Sequence, residues 1–436
     1  MRKEKLENTS SKLMYDVHET PPIAQWILLS FQHVFAMFGA TILVPILVNN
    51  MAQAEVLTIP VALVASGVGT IFYIFCSKGK VPIYLGSSFA FITPMAVGYA
   101  SAGFGGIFTG IMVVGILNIV VAVIIRYAGT AWIDRILPPV VIGPMIMIIG
   151  LGLSSSAVSQ MGLTGGELDW KVLVAIFATF ASTVAAAIFS KGFFKIIPFL
   201  TGIGCGWVVS FALGLIDFSS VMSASWFAMP RFMFPFVHYT PNFNAVLTIA
   251  PIVLVTLAEH IGDIKAISEI IGRDLTKDPG LDRTIFGDGI ATFIAGFLGS
   301  ADTTTYGENL AVVGMSKVAS VKVIGLAAVF AVILGFLGKF NAIVALIPSF
   351  VLGSISILLY GFIGINGLKI MFKSKVNLDD NRNVIVIATM LVLGLGGALV
   401  SITINDFSLA MSGMSLAAVI GIILNLILPK EKPMEE

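Results

Sequence analysis

Long apolar runs separated by short polar breakers dominate the chain. Most runs reach about 18 residues without apolar–polar alternation, which is typical of membrane-spanning helices and not of β-barrel strands. The pattern predicts fourteen segments, at approximately residues 23–49, 56–76, 83–99, 104–125, 136–154, 170–190, 196–216, 244–270, 285–299, 304–316, 318–338, 343–372, 386–402 and 408–428. The third and tenth, around Gly86 and Gly307, are too short to cross ~30 Å of hydrocarbon as plain helices.

The distribution of basic residues supports this count. If residues 1–22 form a cytoplasmic tail, the loops after every second segment are also cytoplasmic. Of the 25 Lys and Arg residues, 21 lie in the tails or in or beside these loops. Lys171, Arg231 and Lys339 lie in or beside the opposite loops, and Lys265 lies within a segment. The positive-inside rule therefore predicts that both termini are cytoplasmic, with a second tail at 429–436.

The segment count also predicts an internal repeat. Seven segments precede the polar stretch at 217–244 and seven follow it, and an odd number per half gives the halves opposite orientations. The interval from Ala40 to Phe89 equals the interval from Glu259 to Glu308, 49 residues in each case. Short glycine-interrupted segments at matching places in the two halves are typical of a transporter site near the bilayer midplane.

Composition and charge exclude several classes of protein. Apolar residues make up 57% of the chain and charged residues 11%, against about 25% charged residues in soluble proteins. A net charge of +1 disfavours a nucleic-acid partner. Cys76 and Cys205 lie far apart, and no metal-ligand spacing or catalytic motif is visible. The sequence therefore predicts a membrane protein that is not an enzyme and has no metal or cofactor.

Carboxylates inside apolar segments are the strongest candidates for chemistry, because a charge at membrane depth costs several kcal/mol unless it is paired or hydrated. Glu259 and Asp263 are four residues apart and share one helix face. Glu308 lies in the second short segment beside Gly307. These groups serve either a ligand or the buried backbone. His260 points to another face, where it is either a proton carrier or a packed histidine.

The first short segment, YLGSSFAF at 84–91, passes from small residues to aromatic ones. This pattern indicates extended backbone that runs into a half-helix, whose free N–H groups would face a polar ligand. Phe89 either stacks on a flat ring or packs as an ordinary core or lipid-facing aromatic residue.

Four stretches carry a resemblance to a known family: SFQHVFAMFGAT at 30–41, LGSSFAF at 85–91, AEHIG at 258–262 and TYGEN at 305–309. With them, residues 22–428 resemble the nucleobase–ascorbate transporter family (nucleobase:cation symporter type 2), and within it the bacterial uracil carriers. Two departures are visible. Asp263 stands where many uracil carriers have histidine, and Asn309-Leu310-Ala311 loosens the wider Asn-x-Gly signature.

The resemblance implies an all-α polytopic fold of fourteen segments in a 7+7 inverted repeat, with segments 3 and 10 broken by short strands. A core domain would comprise residues 23–125 and 244–338, and a gate domain residues 136–216 and 343–428. The protein would be a homodimer in a bacterial cell membrane.

The resemblance also implies roles for particular residues. Glu259 and Glu308 would accept the ring N–H groups of a base, and the backbone around Phe89, Tyr306 and Gly307 would serve its carbonyls. The remaining implied positions are Ala40 and Tyr360 for substrate binding, and Glu259, Asp263, Glu308 and Asn309 for proton coupling.

The function that follows is proton-coupled symport of uracil into the cell. The alternative is a symporter of xanthine or another purine with the same fold. A channel or an intramembrane enzyme is a further alternative, although an enzyme would need a nucleophile–base pair or a metal cluster.

Overall fold

The computed structural model describes residues 13–404 and 407–429. Residues 1–12 and 430–436, which make up most of the two predicted tails, lie outside the described residues. The α-helices are α1 (Ile23–Ala52), α2 (Ile59–Cys76), α3 (Ile92–Ala128), α4 (Ala131–Ile136), α5 (Pro139–Gly152), α6 (Ser154–Gln160), α7 (Trp170–Ile188), α8 (Phe193–Ile196), α9 (Pro198–Ala212), α10 (Ser219–Ser223), α11 (Val246–Ile249), α12 (Val253–Ile271), α13 (Leu281–Leu298), α14 (Gly307–Ser316), α15 (Val321–Phe336), α16 (Gly338–Ala345), α17 (Ser349–Lys373), α18 (Asn381–Leu395) and α19 (Gly413–Ile427).

The strands and remaining helical turns are short. The strands are β1 (Leu85–Ser87), β2 (Thr303–Thr305), β3 (Leu399–Ile404) and β4 (Phe407–Ser412). Single turns of 3₁₀-helix lie at Phe89–Phe91 and Ala250–Ile252, and a π-helical turn lies at Thr276–Gly280.

Seven helical stretches in the described residues are long and apolar enough to cross a membrane. They are Ile23–Ala52, Ile59–Cys76, Phe89–Ala128, Pro139–Gln160, Trp170–Ile188, Val246–Ile271 and Ser349–Lys373. The helices α9, α15, α18 and α19 are apolar but shorter. The chain is therefore a mostly helical, multi-pass membrane protein, and the division into fourteen segments stays a prediction.

The chain reverses direction within the residues assigned to α3. Gly103 has φ 59° and ψ −158°, which is not helical. A Cβ atom on Gly98 would lie 3.3 Å from Cγ2 of Ile107, although nine residues of straight helix span about 13.5 Å. The chain therefore folds back at Gly103, where glycine tolerates the positive φ. The reversal separates the runs predicted at 83–99 and 104–125.

The short strands expected in segments 3 and 10 are present. β1 and β2 pair antiparallel, with Leu85 opposite Thr305 and Ser87 opposite Thr303. This pairing joins two parts of the chain that are more than 200 residues apart, and it creates the centre from which the site is built.

The prediction of an all-α fold is wrong near the C-terminus. The runs expected as helical spans at 386–402 and 408–428 overlap β3 and β4, which form an antiparallel hairpin with Leu399 opposite Ser412. The sequence LVSITI at 399–404 is β-branched and alternates with polar residues, as strands do. Apolar content alone did not distinguish this short strand from a helix end.

The helices pack in a small number of extended pairs. α2 packs against α13 and α15, α3 packs against α13, and α5 packs against α17. The buried apolar side chains of these pairs form one continuous cluster. The β1–β2 pair lies within it, since all six strand residues are buried.

Candidate functional site

The backbone ladder between β1 and β2 continues beyond the strands. The Tyr306 N–H donates to the Tyr84 carbonyl at 3.0 Å, and the Ser88 N–H donates to the Asp302 carbonyl at 3.4 Å. Phe89 follows directly after this ladder on one side, and Gly307 follows on the other. The pairing therefore holds the two predicted half-sites next to each other.

Buried hydroxyl groups satisfy the outer edges of this small sheet. The Ser66 hydroxyl on α2 donates to the Leu85 carbonyl at 2.6 Å, and the Leu85 N–H donates to the Thr70 hydroxyl at 3.0 Å. On the opposite edge, the Thr292 hydroxyl on α13 donates to the Thr303 carbonyl at 2.9 Å. Irregular backbone at membrane depth needs such internal partners, so α2 and α13 make the extended segments tolerable.

A helical turn begins at the end of each strand. After β1, the Ser88 hydroxyl accepts from the Ala90 N–H at 3.3 Å and caps the turn Phe89–Phe91. After β2, α14 begins at Gly307 with no side-chain cap, and Glu308 lies in its first turn. The first N–H groups of a helix lack intrahelical partners and carry partial positive charge. Both starts can therefore donate hydrogen bonds to a polar ligand.

The structure brings the predicted carboxylates together. Glu259 lies within electrostatic range of the carboxyl groups of Asp263, Glu308, Asp302 and Asp288. Glu259, Asp263 and Glu308 are each half-buried. Among the described residues, Oε2 of Glu259 is buried and has no hydrogen-bond partner. A buried carboxylate oxygen without a partner costs free energy, and a donor from a ligand would remove that cost.

Space is available beside these carboxylates. Gly262 on α12 and Gly307 at the start of α14 are both exposed, and a Cβ atom built on either would meet no atom within 4 Å. α12, which carries Glu259, and α14, which carries Glu308, therefore both border open space.

Asp263 has a specific partner on the second strand. The Thr305 hydroxyl donates to Oδ2 of Asp263 at 2.7 Å. The bond links the helix that carries Glu259 to the strand that precedes Glu308, so Asp263 lies at the junction of the two halves.

Two buried carboxylates were missed in the sequence. Asp288 on α13 is 2% exposed, and Asp302 before β2 is 1% exposed. His260 places Nδ1 3.7 Å from Oδ1 of Asp288, and Asn118 donates to Oδ2 of Asp288 at 3.4 Å. The available signal was the same one used for Glu259, a charge within an apolar run, because Asp288 falls in the run 285–299 and Asp302 directly follows it.

Asn309 and Ala40 both involve α1. Asn309 lies on α14 and contacts α1, whereas Ala40 is part of α1. The Asn309 side-chain amide donates to the His33 carbonyl at 3.0 Å and lies 3.2 Å from the Nδ1 atom of the same residue. Ala40 is buried beside Thr41, whose hydroxyl lies 3.1 Å from the Tyr306 hydroxyl. These contacts connect α1 to the residues around the start of α14.

Tyr360 reaches the first half-site from α17. Its ring packs edge-on against Phe89, with centroids 6.1 Å apart and planes at 76°. Both side chains are buried. Tyr360 therefore contacts Phe89 at the first half-site.

The chain is similar in sequence to a family of membrane permeases and to individual proteins of bacteria. A family model described as the permease family, Xan_ur_permease, matches residues 24–403. A uracil permease of Bacillus subtilis (strain 168) is 43% identical over 431 residues, which cover 97% of this chain and 97% of that protein. A uracil permease of Escherichia coli (strain K12) is 41% identical over 417 residues, which cover 94% and 93% of the two chains.

A solved structure shares the fold. The transmembrane domain of a cyanobacterium bicarbonate transporter, BicA, aligns with a TM-score of 0.60 over 94% of this chain and 99% of that one. Its sequence identity is 14%, so the likeness concerns the fold alone.

Proposed function

We propose a specific transport activity for this chain, which belongs to the Xan_ur_permease family of nucleobase–ascorbate transporters: it carries uracil into a bacterial cell together with a proton. The family consists of permeases, so the chain is a membrane transporter and not an enzyme. The names of its relatives support uracil as the cargo.

The observation that carries the proposal is that Glu259 lies within electrostatic range of Glu308, on helices that border open space, with Oε2 of Glu259 lacking a partner among the described residues. Uracil is flat and neutral, and its N–H donors alternate with C=O acceptors. A carboxylate accepts from a ring N–H, and such charge-assisted bonds contribute roughly 1.5–3 kcal/mol each. The free N–H groups near Phe89 and Gly307 donate to the ring carbonyls.

Proton coupling follows from the charge that must move. A core that carries several carboxylates crosses the membrane at high electrostatic cost, and a bound proton lowers that cost. Glu259, Asp263 and Glu308 are the candidate acceptors, and Asn309 holds α14 against α1 near them. The bond from Thr305 to Asp263 supports a role for Asp263 in linking proton and substrate.

Packing supports the 7+7 inverted repeat. In that scheme α2 and α13 correspond, and the second arm of α3 corresponds to α15. The scheme requires that α2 pack on α15 wherever α13 packs on α3, and both contacts are extensive. The two short strands, each followed by a helical turn, correspond in the same way.

Transport would occur by movement of a core domain against a gate domain. The core comprises residues 23–125 and 244–338, and the gate comprises residues 136–216 and 343–428. The contact between Phe89 and Tyr360 would lie on the boundary between them. We further propose cytoplasmic termini and a homodimer formed through the gate domains.

Uptake into proteoliposomes tests the proposal. Labelled uracil should accumulate when the outside is more acidic than the lumen, and a protonophore should abolish the accumulation. Unlabelled uracil should compete, whereas xanthine should not. Accumulation of xanthine in place of uracil would support the purine alternative, and indifference to the pH gradient would contradict proton coupling.

A further inference from the structure

A cavity that shares no lining residue with the carboxylate site lies among α4, α5, the α17–α18 loop, the start of α18 and the end of α19. Its volume is about 660 Å³, within the range of small-molecule sites. Among the described residues, its wall includes three basic residues, Arg135, Lys375 and Arg382, and one acidic residue, Asp134. The wall therefore carries a net positive charge.

In the described part of the chain, the guanidinium of Arg382 donates its hydrogen bonds to neutral groups, while the Arg382 backbone N–H donates to Oδ1 of Asp380 at 2.8 Å. Its Nε donates to the Leu428 carbonyl at 3.3 Å, Nη1 donates to Oδ1 of Asn383 at 3.2 Å, and Nη2 donates to Oδ1 of Asn425 at 2.8 Å and to the Asn425 carbonyl. These carbonyls belong to the end of α19, so the guanidinium caps that helix. The cation is rigid, half-buried and not neutralised by any of these partners.

Arg135 is tied to the same centre. The Asn425 side-chain amide donates to the Arg135 carbonyl at 3.0 Å. Within residues 13–404 and 407–429, no ion pair engages Arg135, Lys375 or Arg382. The positive-inside rule accounts for basic residues on this side of the protein. It does not account for a cavity in which the guanidinium of Arg382 is held by uncharged groups of the described residues.

We propose that this cavity binds a phosphate ester, through Arg135, Lys375 and the remaining N–H of Arg382. A half-buried cation gains from an anionic partner, and guanidinium groups match phosphate geometry. The volume exceeds that of phosphate alone, and Pro138, Val140 and Leu426 add apolar wall for an organic body. The phosphate belongs either to an anionic lipid headgroup or to a soluble phosphate ester.

The ligand would brace the gate domain. The cavity is lined by residues of α4 and α5 and by residues of the α17–α18 loop, α18 and the end of α19. A bound anion would hold these elements together at one end of the bundle. Its binding can be measured without uracil, since no residue of the carboxylate site lines the cavity.

Binding to the full-length purified protein in detergent tests the proposal with two probes, phosphatidylglycerol and sn-glycerol 3-phosphate, which share a phosphate ester but differ in acyl chains. The test variant is Arg135→Gln/Lys375→Gln. The control is Lys191→Gln/Lys369→Gln, which removes two exposed positive charges outside the cavity. Arg382 is left intact because it caps α19, and thermal unfolding without probe checks that each variant is folded.

Wild type and control should bind one or both probes, followed by native mass spectrometry for the lipid and calorimetry for the soluble ester. At about a five- to sixfold effect per basic residue, the test variant, which lacks two of them, should bind about 30-fold more weakly. If the test variant loses binding of phosphatidylglycerol alone, the ligand is a lipid headgroup. If it loses binding of glycerol 3-phosphate, the ligand is a soluble ester. Equal binding by all three proteins, or no binding by wild type, would overturn the proposal.

Discussion

The Tyr306 hydroxyl donates a hydrogen bond to the Ser87 carbonyl at 3.0 Å and thereby connects the two half-sites across the β1–β2 pair. The same hydroxyl lies 3.1 Å from the Thr41 hydroxyl on α1. Tyr306 is 4% exposed, so its side chain positions the site from behind, while its backbone leads into Gly307 and Glu308.

Removing this hydroxyl should loosen the site without removing any proposed ligand of the base. In Tyr306→Phe, loss of a buried hydrogen bond costs about 1 kcal/mol, which corresponds to a KM for uracil about fivefold higher. The maximal rate should stay near that of wild type. Tyr15→Phe removes an exposed hydroxyl bonded to Gln25 and should leave KM unchanged. Uptake kinetics with a wild-type KM in Tyr306→Phe would contradict the positioning role.

Glu259→Gln and Glu308→Gln should each reduce uracil uptake at least about tenfold, because each replaces a charged acceptor by a neutral amide. Glu269→Gln is the matched control, since Glu269 is an exposed residue of the same helix as Glu259. Initial rates of labelled uracil uptake measure the effect. Normal uptake by both site variants would refute the assignment of the site.

Asp263→Asn should separate substrate binding from proton coupling. The amide can still accept from the Thr305 hydroxyl, so we expect the site to stay assembled and uracil to raise the melting temperature. Accumulation driven by a pH gradient should be lost, while exchange of labelled for unlabelled uracil should persist. Asp274→Asn, at an exposed position, should retain both. Gradient-driven accumulation at the wild-type level in Asp263→Asn would exclude the coupling role.

Gly86→Ala should damage the sheet at the centre of the site. A Cβ atom on Gly86 would collide with Cε2 and Cζ of the Tyr306 ring. Such overpacking lowers the free energy of unfolding by about 1–3 kcal/mol. Gly325→Ala is the control, because its Cβ would lie 3.8 Å from Ile74, an ordinary contact. The melting temperature should fall in the first variant and not in the second. Equal melting temperatures would show that the ring can move aside.

Much of the site was readable from the sequence because its signals are local. Glycines interrupt two apolar runs around Gly86 and Gly307, and the spacing of Glu259 and Asp263 places them on one helix face. What makes these signals a site is long-range. The bond from Thr305 to Asp263 depends on strand pairing between distant segments, which no single run reveals.

The sequence was less informative where different structures share a composition. The hairpin at 399–412 is as apolar as a helix end, so the apolar pattern predicts parts of two spans there. Asp288 does not stand out in the sequence because a single charge leaves the run around it apolar. In the structure it is buried and lies within electrostatic range of Glu259.

An experimental structure of the protein with bound uracil tests the central claim most directly, namely that two carboxylates from different halves of the chain hold one base. The account predicts that carboxyl oxygens of Glu259 and Glu308 lie within about 2.6–3.2 Å of the ring nitrogens of uracil, as in charge-assisted hydrogen bonds. Uracil bound elsewhere, or held by only one of these carboxylates, would contradict it.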